Sequence, residues 1–171
     1  MVLCGGESRR MGEDKWKLRI YGQTWANYVA TLLKPHCETV FISSVKKLEL
    51  DFPFVIDEFP GEGPLGAWYS FSKKFPGRNL ISLPVDMPLL TTDDVACLRG
   101  EESGYLAGPE EKAPLAAFIS ADDLLLLAEK FEAGLRSAFE FWGICAHQIR
   151  YISSDRPLKN LNAPKDLPNK R

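Results

Sequence analysis

Four basic residues, Arg9, Arg10, Lys15 and Lys17, follow the adjacent glycines Gly5 and Gly6 in the opening stretch MVLCGGESRRMGEDKWK. Adjacent glycines let backbone N–H groups turn toward an anion without obstruction by a Cβ. Guanidinium and ammonium groups behind them neutralise phosphate oxygens, arginine in bidentate fashion. The stretch therefore reads either as a phosphate-binding loop or as a tight turn followed by a solvated basic segment. Two familiar phosphate motifs are excluded. Gly5-Gly6 followed by Gly12 does not supply the G-x-G-x-x-G spacing, and Gly12 is followed by Glu13-Asp14 rather than by Lys and Ser or Thr.

A carboxylate in a matching position strengthens the phosphate reading. Asp86 directly follows the buried run NLISLPV (79–85) and has no basic neighbour in sequence. Such a carboxylate suits Mg²⁺ bridging to a nucleotide's phosphates, or it caps the helix that follows Pro88. DEFPGEGPLGA (57–67) places Gly61, Gly63 and Gly66 after a strand, where backbone can approach a base or ribose and Asp57 can accept a hydrogen bond from either. Its plainer reading is a strand-to-helix turn with Pro64 at the first helical position. Asn160 and Asn162, in NLNAP, complete a metal shell or cap a last helix before Pro164. His36 and His147 read as structural.

These residues need a frame that brings them to one edge. MVLC reads as a short buried strand; TWANYVATLLK (24–34) as a helix capped by Thr24 and ended by Pro35. TVFISS (39–44) and FPFVID (52–57) read as strands, a helix follows over 66–75, and NLISLPV is a further strand. Thr91 with Asp94 resembles a capping box for a helix over 92–99. GYLAG and PLAAFI read as strands around the loop PEEKA, ADDLLLLAEKF and LRSAFEFWG as helices, and QIRYI as the last strand. The alternation predicts an α/β fold with a mostly parallel central sheet and helices on both faces, in a single domain over 1–171. In such sheets ligands sit outside the carboxyl ends of the strands, where the glycine loop and Asp86 both fall.

Composition narrows the function classes. With 171 residues, 45% hydrophobic and 26% charged, the chain can bury a proper core. Lys plus Arg number 21 against 23 Asp plus Glu, a net charge of -2 that favours neither nucleic acid nor a membrane surface as partner. No apolar run approaches a transmembrane length. Cys4, Cys37, Cys97 and Cys145 lack metal-ligand spacing and read as buried thiols in a reducing cytoplasm.

Taken together the motifs resemble a known family. LCGGESRRMGEDK resembles the L-x-G-G-x-S-x-R-M-G-x-D-K signature of the molybdenum cofactor guanylyltransferases, the MobA-like nucleotidyltransferases. DEFPGEGPLG resembles their D-x-x-P-G-x-G-P-L-x-G loop, PVDMPLL their metal-binding D-x-P segment, and NLNAPKDL their closing N-x-N-T-P-E-D-L. The four motifs stand in family order between residues 3 and 167.

The resemblance implies a Rossmann-like nucleotidyltransferase fold and transfer of GMP from GTP to the terminal phosphate of molybdopterin, releasing pyrophosphate. It implies GTP and molybdopterin as substrates, Mg²⁺ as cofactor, and transient contact with molybdenum cofactor synthesis or acceptor proteins. Carried over by position, Leu3, Cys4, Gly5, Gly6, Arg10 and Lys15 would hold the nucleotide's phosphate side. Asp57 and Gly63-Pro64-Leu65 would meet the guanosine. Asp86 with Asn162 would bind Mg²⁺, and Lys15, Arg10 and Asp86 would carry catalysis. The stretch around Pro114 matches a strand on the pterin side. Gly5-Gly6 and Met11-Gly12 favour the guanylyl branch over relatives that use CTP, with a cytidylyltransferase or another phosphorylated acceptor as the alternative. Three positions depart from the pattern: Met1 falls inside the first strand, which predicts a strand missing its start; Ser43-Ser44-Val45 stands where many members carry Asn; Ala113 precedes Pro114 where members often carry a larger polar residue.

Overall fold

A computed structural model describes residues 1–5, 14–152 and 158–162. Its centre is a seven-stranded sheet of order β5-β4-β1-β6-β8-β7-β9. The strands are β1 (Val2–Leu3), β4 (Ile42–Ser44), β5 (Phe54–Ile56), β6 (Leu80–Pro84), β7 (Gly104–Ala107), β8 (Lys112–Ile119) and β9 (Gln148–Tyr151). All run parallel except β8, which lies antiparallel between β6 and β7. A separate two-stranded ribbon, β2 (Arg19–Ile20) and β3 (Gln23–Thr24), follows the first loop.

β1 is the pivot of the topology. Successive strands β4 and β5 add on one side of it, and the chain then crosses through α2 (Pro64–Lys74) to lay β6 on the other. The strand order reverses there, which is where an α/β sheet leaves a crevice at its carboxyl edge. Val2 pairs with Ile42 and Leu83, and Leu3 with Ser43 and Pro84. The short strand is bonded on both sides: Val2 and Cys4 N–H donate to Phe41 and Ser43 O at 2.8 Å each, and Leu83 and Val85 N–H donate to Met1 and Leu3 O at 3.0 and 3.1 Å. The short first strand expected from the sequence is thus a working central strand.

Side chains alternate across the sheet and bury two distinct cores. Val2, Ile42 and Leu83 face α1 (Trp25–Leu33) and α3 (Thr92–Ala96), in a mainly aliphatic cluster with Val29, Leu33, Val95 and Leu98. Leu3, Val55 and Ile119 face α2, α4 (Ala121–Glu132) and α5 (Ala138–Ile144), in a cluster rich in rings: Trp68, Phe71, Phe131, Phe141 and Trp142. Trp68 Nε1 donates to Ser82 Oγ at 2.9 Å, so the indole is buried with its polar end satisfied.

Helix starts follow the sequence signals. Thr24 Oγ1 accepts from Asn27 N–H at 3.2 Å and caps α1. Thr91 and Asp94 form the predicted capping box, with both reciprocal bonds present. Pro64 opens α2, and the helix begins two residues before the 66–75 expected. The α3 helix ends earlier than expected, at Ala96.

Two features add to the expectation. The β2–β3 ribbon turns through Tyr21 and Gly22, with φ of 49° and 79°, both in the left-handed region that a two-residue I′ hairpin needs. The strand PLAAFI is the one antiparallel member of the mostly parallel sheet. Its register against β7 jumps from Tyr105↔Ala117 to Leu106↔Ala113, leaving residues 114–116 outside the ladder, where Pro114 lacks an N–H to donate. Among the described residues no helix is long and apolar enough to cross a membrane.

Candidate active site

The carboxyl ends of β1 and β6 lie side by side, so the chain leaves both strands at one edge. Leu3 is buried in the sheet; Cys4 donates its N–H to Ser43 O at 2.8 Å; Gly5 is exposed and, among the described residues beyond its chain neighbours, nothing lies within 4 Å of where a Cβ would stand. Burial pushes the Cys4 thiol up to about 12, so it is no nucleophile at neutral pH. Gly6 and Arg10, assigned to the phosphates from the sequence, lie outside the described residues.

Three distant segments converge beyond that edge. The chain returns at Asp14 and forms a single 3₁₀ turn, Lys15–Lys17. Lys15 Nζ donates to Asp86 Oδ2 at 2.8 Å and to Asn162 Oδ1 at 2.7 Å. Asp86 sits just past β6, and its carbonyl accepts Leu161 N–H at 2.7 Å, which fastens the 158–162 segment beside it. Side-chain exposure is 20% for Lys15 and 16% for Asp86, so the pair is partly withdrawn from solvent and its attraction less screened than on an open surface. Of the two asparagines named from the sequence, Asn162 is the one drawn into this cluster.

The donor set carries a chemical implication. A carboxylate oxygen and an amide oxygen, both hard ligands, close on one cationic nitrogen. The ammonium is a stand-in for a cation that those two oxygens can coordinate. Among the described residues no group of three or more His, Cys, Asp or Glu could hold a metal by itself. A metal here would draw its remaining oxygens from phosphates and water, as Mg²⁺ commonly does.

The second part of the site lies at β5, two strands away. Asp57 follows β5, and its N–H donates to Ser44 O at 2.9 Å. Its carboxylate Oδ1 accepts Phe59 N–H at 2.9 Å, so it holds the start of its own loop. Burial raises the Asp57 carboxyl above its ordinary value, and the Phe59 N–H opposes that shift. Gly61 and Gly63 take φ of 92° and 76°, conformations that L side chains rarely adopt. At Gly66 the constraint is space, because a Cβ would stand 3.0 Å from Asp57 Oδ1 and 3.3 Å from Phe59 Cβ. Pro64 is half-buried at the start of α2, whereas the Leu65 side chain is wholly buried in the ring-rich core. Leu65 can therefore offer a ligand only its backbone.

Other residues singled out from the sequence make contacts within the fold. Pro114 O accepts Trp142 Nε1 at 2.9 Å. His147 stacks on Tyr105 with ring centroids 5.5 Å apart, and His36 Nε2 lies 3.2 Å from Thr92 O. Ser43 and Ser44 are buried in β4, with Ser44 Oγ donating to Lys46 O. Sequence reasoning missed one contact of the second loop: Glu62 pairs with Arg136, 74 residues away, with no local motif to signal it.

Residues 1–143 match the model of the MobA-like NTP transferase domain. The chain is 31% identical to a Mycobacterium ulcerans protein named probable molybdenum cofactor guanylyltransferase, over 98% of this chain and 90% of the relative. It is 25% identical to the molybdenum cofactor biosynthesis bifunctional protein of Synechocystis, over 97% of this chain; the chain spans about half of that relative's length, 51%. In three dimensions it superposes on molybdopterin-guanine dinucleotide biosynthesis protein A of Archaeoglobus fulgidus with a TM-score of 0.75 at 17% identity, over 96% of this chain and 92% of the other. With its sheet order, its glycine loop and its Asp86 at the adjacent strand end, the chain belongs to the MobA-like NTP transferase family.

Proposed function

We propose that this chain transfers GMP from GTP to the terminal phosphate of molybdopterin, giving molybdopterin guanine dinucleotide and pyrophosphate. The observation that carries the reading is the meeting of Lys15 with Asp86 and Asn162 at the carboxyl edge of β1 and β6. The names of the relatives that align over nearly the whole chain supply the substrates.

The chemistry suits the residues. A phosphate oxygen of the acceptor is already an anion, so attack on the α-phosphorus of GTP needs no general base. One P–O bond forms to that oxygen as the bond to the β-phosphate breaks, and pyrophosphate departs with the electron pair. What the protein must supply is alignment and charge stabilisation. Lys15, at 20% side-chain exposure, supplies positive charge beside the crevice. Asp86 with Asn162 would hold Mg²⁺, which when bound offsets negative charge on the phosphate oxygens. The backbone of Gly5 leaves room for the triphosphate, and Arg10 is assigned to it by its place in the motif. Asp57 and the Gly63-Pro64-Leu65 turn face the guanosine in this reading.

Four unpaired thiols, none in a disulfide, fit a reducing cytoplasm, and the reaction is placed there with the chain acting as one domain over 1–171. The test is pyrophosphate release with GTP, CTP, ATP and UTP in turn, in the presence of molybdopterin and Mg²⁺. Turnover is expected with GTP and is expected to vanish on chelation of the metal. Turnover of CTP without GTP would assign a cytidylyltransferase instead, and turnover independent of molybdopterin would reassign the acceptor.

A further inference from the structure

The α4 helix ends in a way that leaves a fixed guanidinium beside the second loop. Gly134, with φ of 104°, terminates it: Gly134 N–H donates to Phe131 O at 3.0 Å and Leu135 N–H to Lys130 O at 2.9 Å, a Schellman closure. Arg136 follows at once. Its Nη1 donates to the carbonyls of Phe131 and Leu135 at 2.7 and 2.9 Å, and its guanidinium lies 4.1 Å from the centroid of the Phe131 ring. Three contacts thus hold the group in place, all to residues on one side of it.

Another donor of the same group points across to the other loop. Arg136 Nε–H is hydrogen-bonded to Glu62 Oε2, and Glu62 stands between the left-handed Gly61 and Gly63. The Arg136 carbonyl stands 3.7 Å from where a Gly63 Cβ would be, so backbone as well as side chain abuts the turn. Beneath them Phe59 meets the Phe131 ring edge-on at 5.3 Å, and Tyr69 stacks on Phe131 at 4.7 Å. Tyr69 OH donates to Glu132 at 2.7 Å, which ties α2 to α4 through the same patch.

An exposed ion pair ordinarily contributes little, because two long side chains must be ordered to make it. Here one partner is ordered already by other bonds, so only Glu62 loses freedom. The segment it restrains contains two glycines, the residues with most conformational freedom to lose. We propose that Arg136 is a positioning residue, which through Glu62 holds the 58–63 loop in the shape that receives the nucleotide's base. The inference rests on the reading that this loop meets the guanosine.

The test separates the two. Glu62→Ala and Arg136→Met are each expected to raise KM for GTP about fivefold while kcat changes less than about twofold, from an interaction of ordinary coupled-pair size. Glu62→Gln keeps an acceptor for the Arg136 Nε–H and is expected to restore KM to near the parent value. The double variant is expected to be no worse than either single one. Amide hydrogen exchange of residues 58–63, measured on the protein without nucleotide, is expected to quicken in both single variants. Unchanged exchange with unchanged KM overturns the proposal. Effects that add in the double variant overturn the route through Glu62. Should Arg136→Met fail to fold, Glu62→Ala alone decides, since it leaves every bond of Arg136 to α4 intact. If the protein turns over no GTP, the exchange result still scores the positioning claim, and the failure belongs to the functional reading.

Discussion

The two halves of the site are held by different physics. At the β1–β6 edge, three segments far apart in sequence are joined through one ammonium and two side-chain oxygens, with Leu161 N–H on the Asp86 carbonyl as an extra tie. At the β5 edge, the 57–66 loop is shaped by glycine conformation, by close approach of Gly66 to Asp57 and Phe59, and by rings packed below it. The first half is built from charge. The second half is built from shape. A charge-built corner tolerates changes of packing and fails when a charge is removed; the loop fails chiefly when its glycine conformation or packing is altered, with the Glu62–Arg136 pair as a lesser, charged restraint.

Removing charge at the first corner is the strongest way to break this contrast. Asp86→Asn keeps the size of the side chain and its oxygen, but takes away the negative charge opposite Lys15. Pyrophosphate release at saturating GTP is expected to fall by about 10³-fold, the scale for losing an electrostatic element of a phosphoryl or acyl transfer site. Lys15→Met is expected to cost about 10²-fold, with the fold retained in a thermal melt. A loss below about tenfold for both variants would move the chemistry away from this corner.

Shape is tested at Gly66. An added Cβ would stand 3.0 Å from Asp57 Oδ1 and 3.3 Å from both Phe59 Cβ and Phe59 O, and backbone cannot retreat as a flexible side chain would. Gly66→Ala is expected to destabilise the protein by about 1–3 kcal/mol, the ordinary cost of overpacking, as read by urea denaturation. KM for GTP is expected to rise with kcat held, since the charged corner is untouched. A variant as stable as the parent would show that the loop yields easily and is not shape-built.

The contrast also explains what could be read from the sequence. Asp86 and Lys15 were legible because each follows or precedes a strongly patterned element, and strand ends in an α/β sheet share an edge. Asn162 was named through its motif, but its meeting with Lys15, 147 positions away, is a property of the fold. The Glu62–Arg136 pair left no trace, because neither residue type nor spacing distinguishes it from other surface charges. The apolar pattern of PLAAFI reads the same either way, but the loop PEEKA that joins it to GYLAG is too short for a parallel crossover, and β8 lies antiparallel to β7 as that connection requires. The Tyr21-Gly22 hairpin lacks the Asn-Gly or Asp-Gly signal that usually announces such a turn.

Asp57 is where the two kinds of construction meet. Its Oδ1 holds Phe59 N–H and packs against Gly66, which is shape; its carboxylate is proposed to accept from the nucleotide, which is charge. Burial raises its carboxyl in the folded protein, so the folded state binds the proton more tightly than the unfolded chain does. Ionisation therefore opposes folding: this group's contribution is most favourable below the unfolded value and declines as pH rises through the folded one. Asp57→Asn keeps an oxygen for Phe59 N–H and removes the ionisation. Its stability relative to the parent is expected to increase from acidic to neutral pH, measured by urea denaturation across that range. If the carboxylate also accepts a hydrogen bond from the nucleotide, KM for GTP rises about tenfold, as for loss of a charged acceptor of about 1.5 kcal/mol. An unaltered KM with the stability change intact would leave Asp57 as a loop fastener alone.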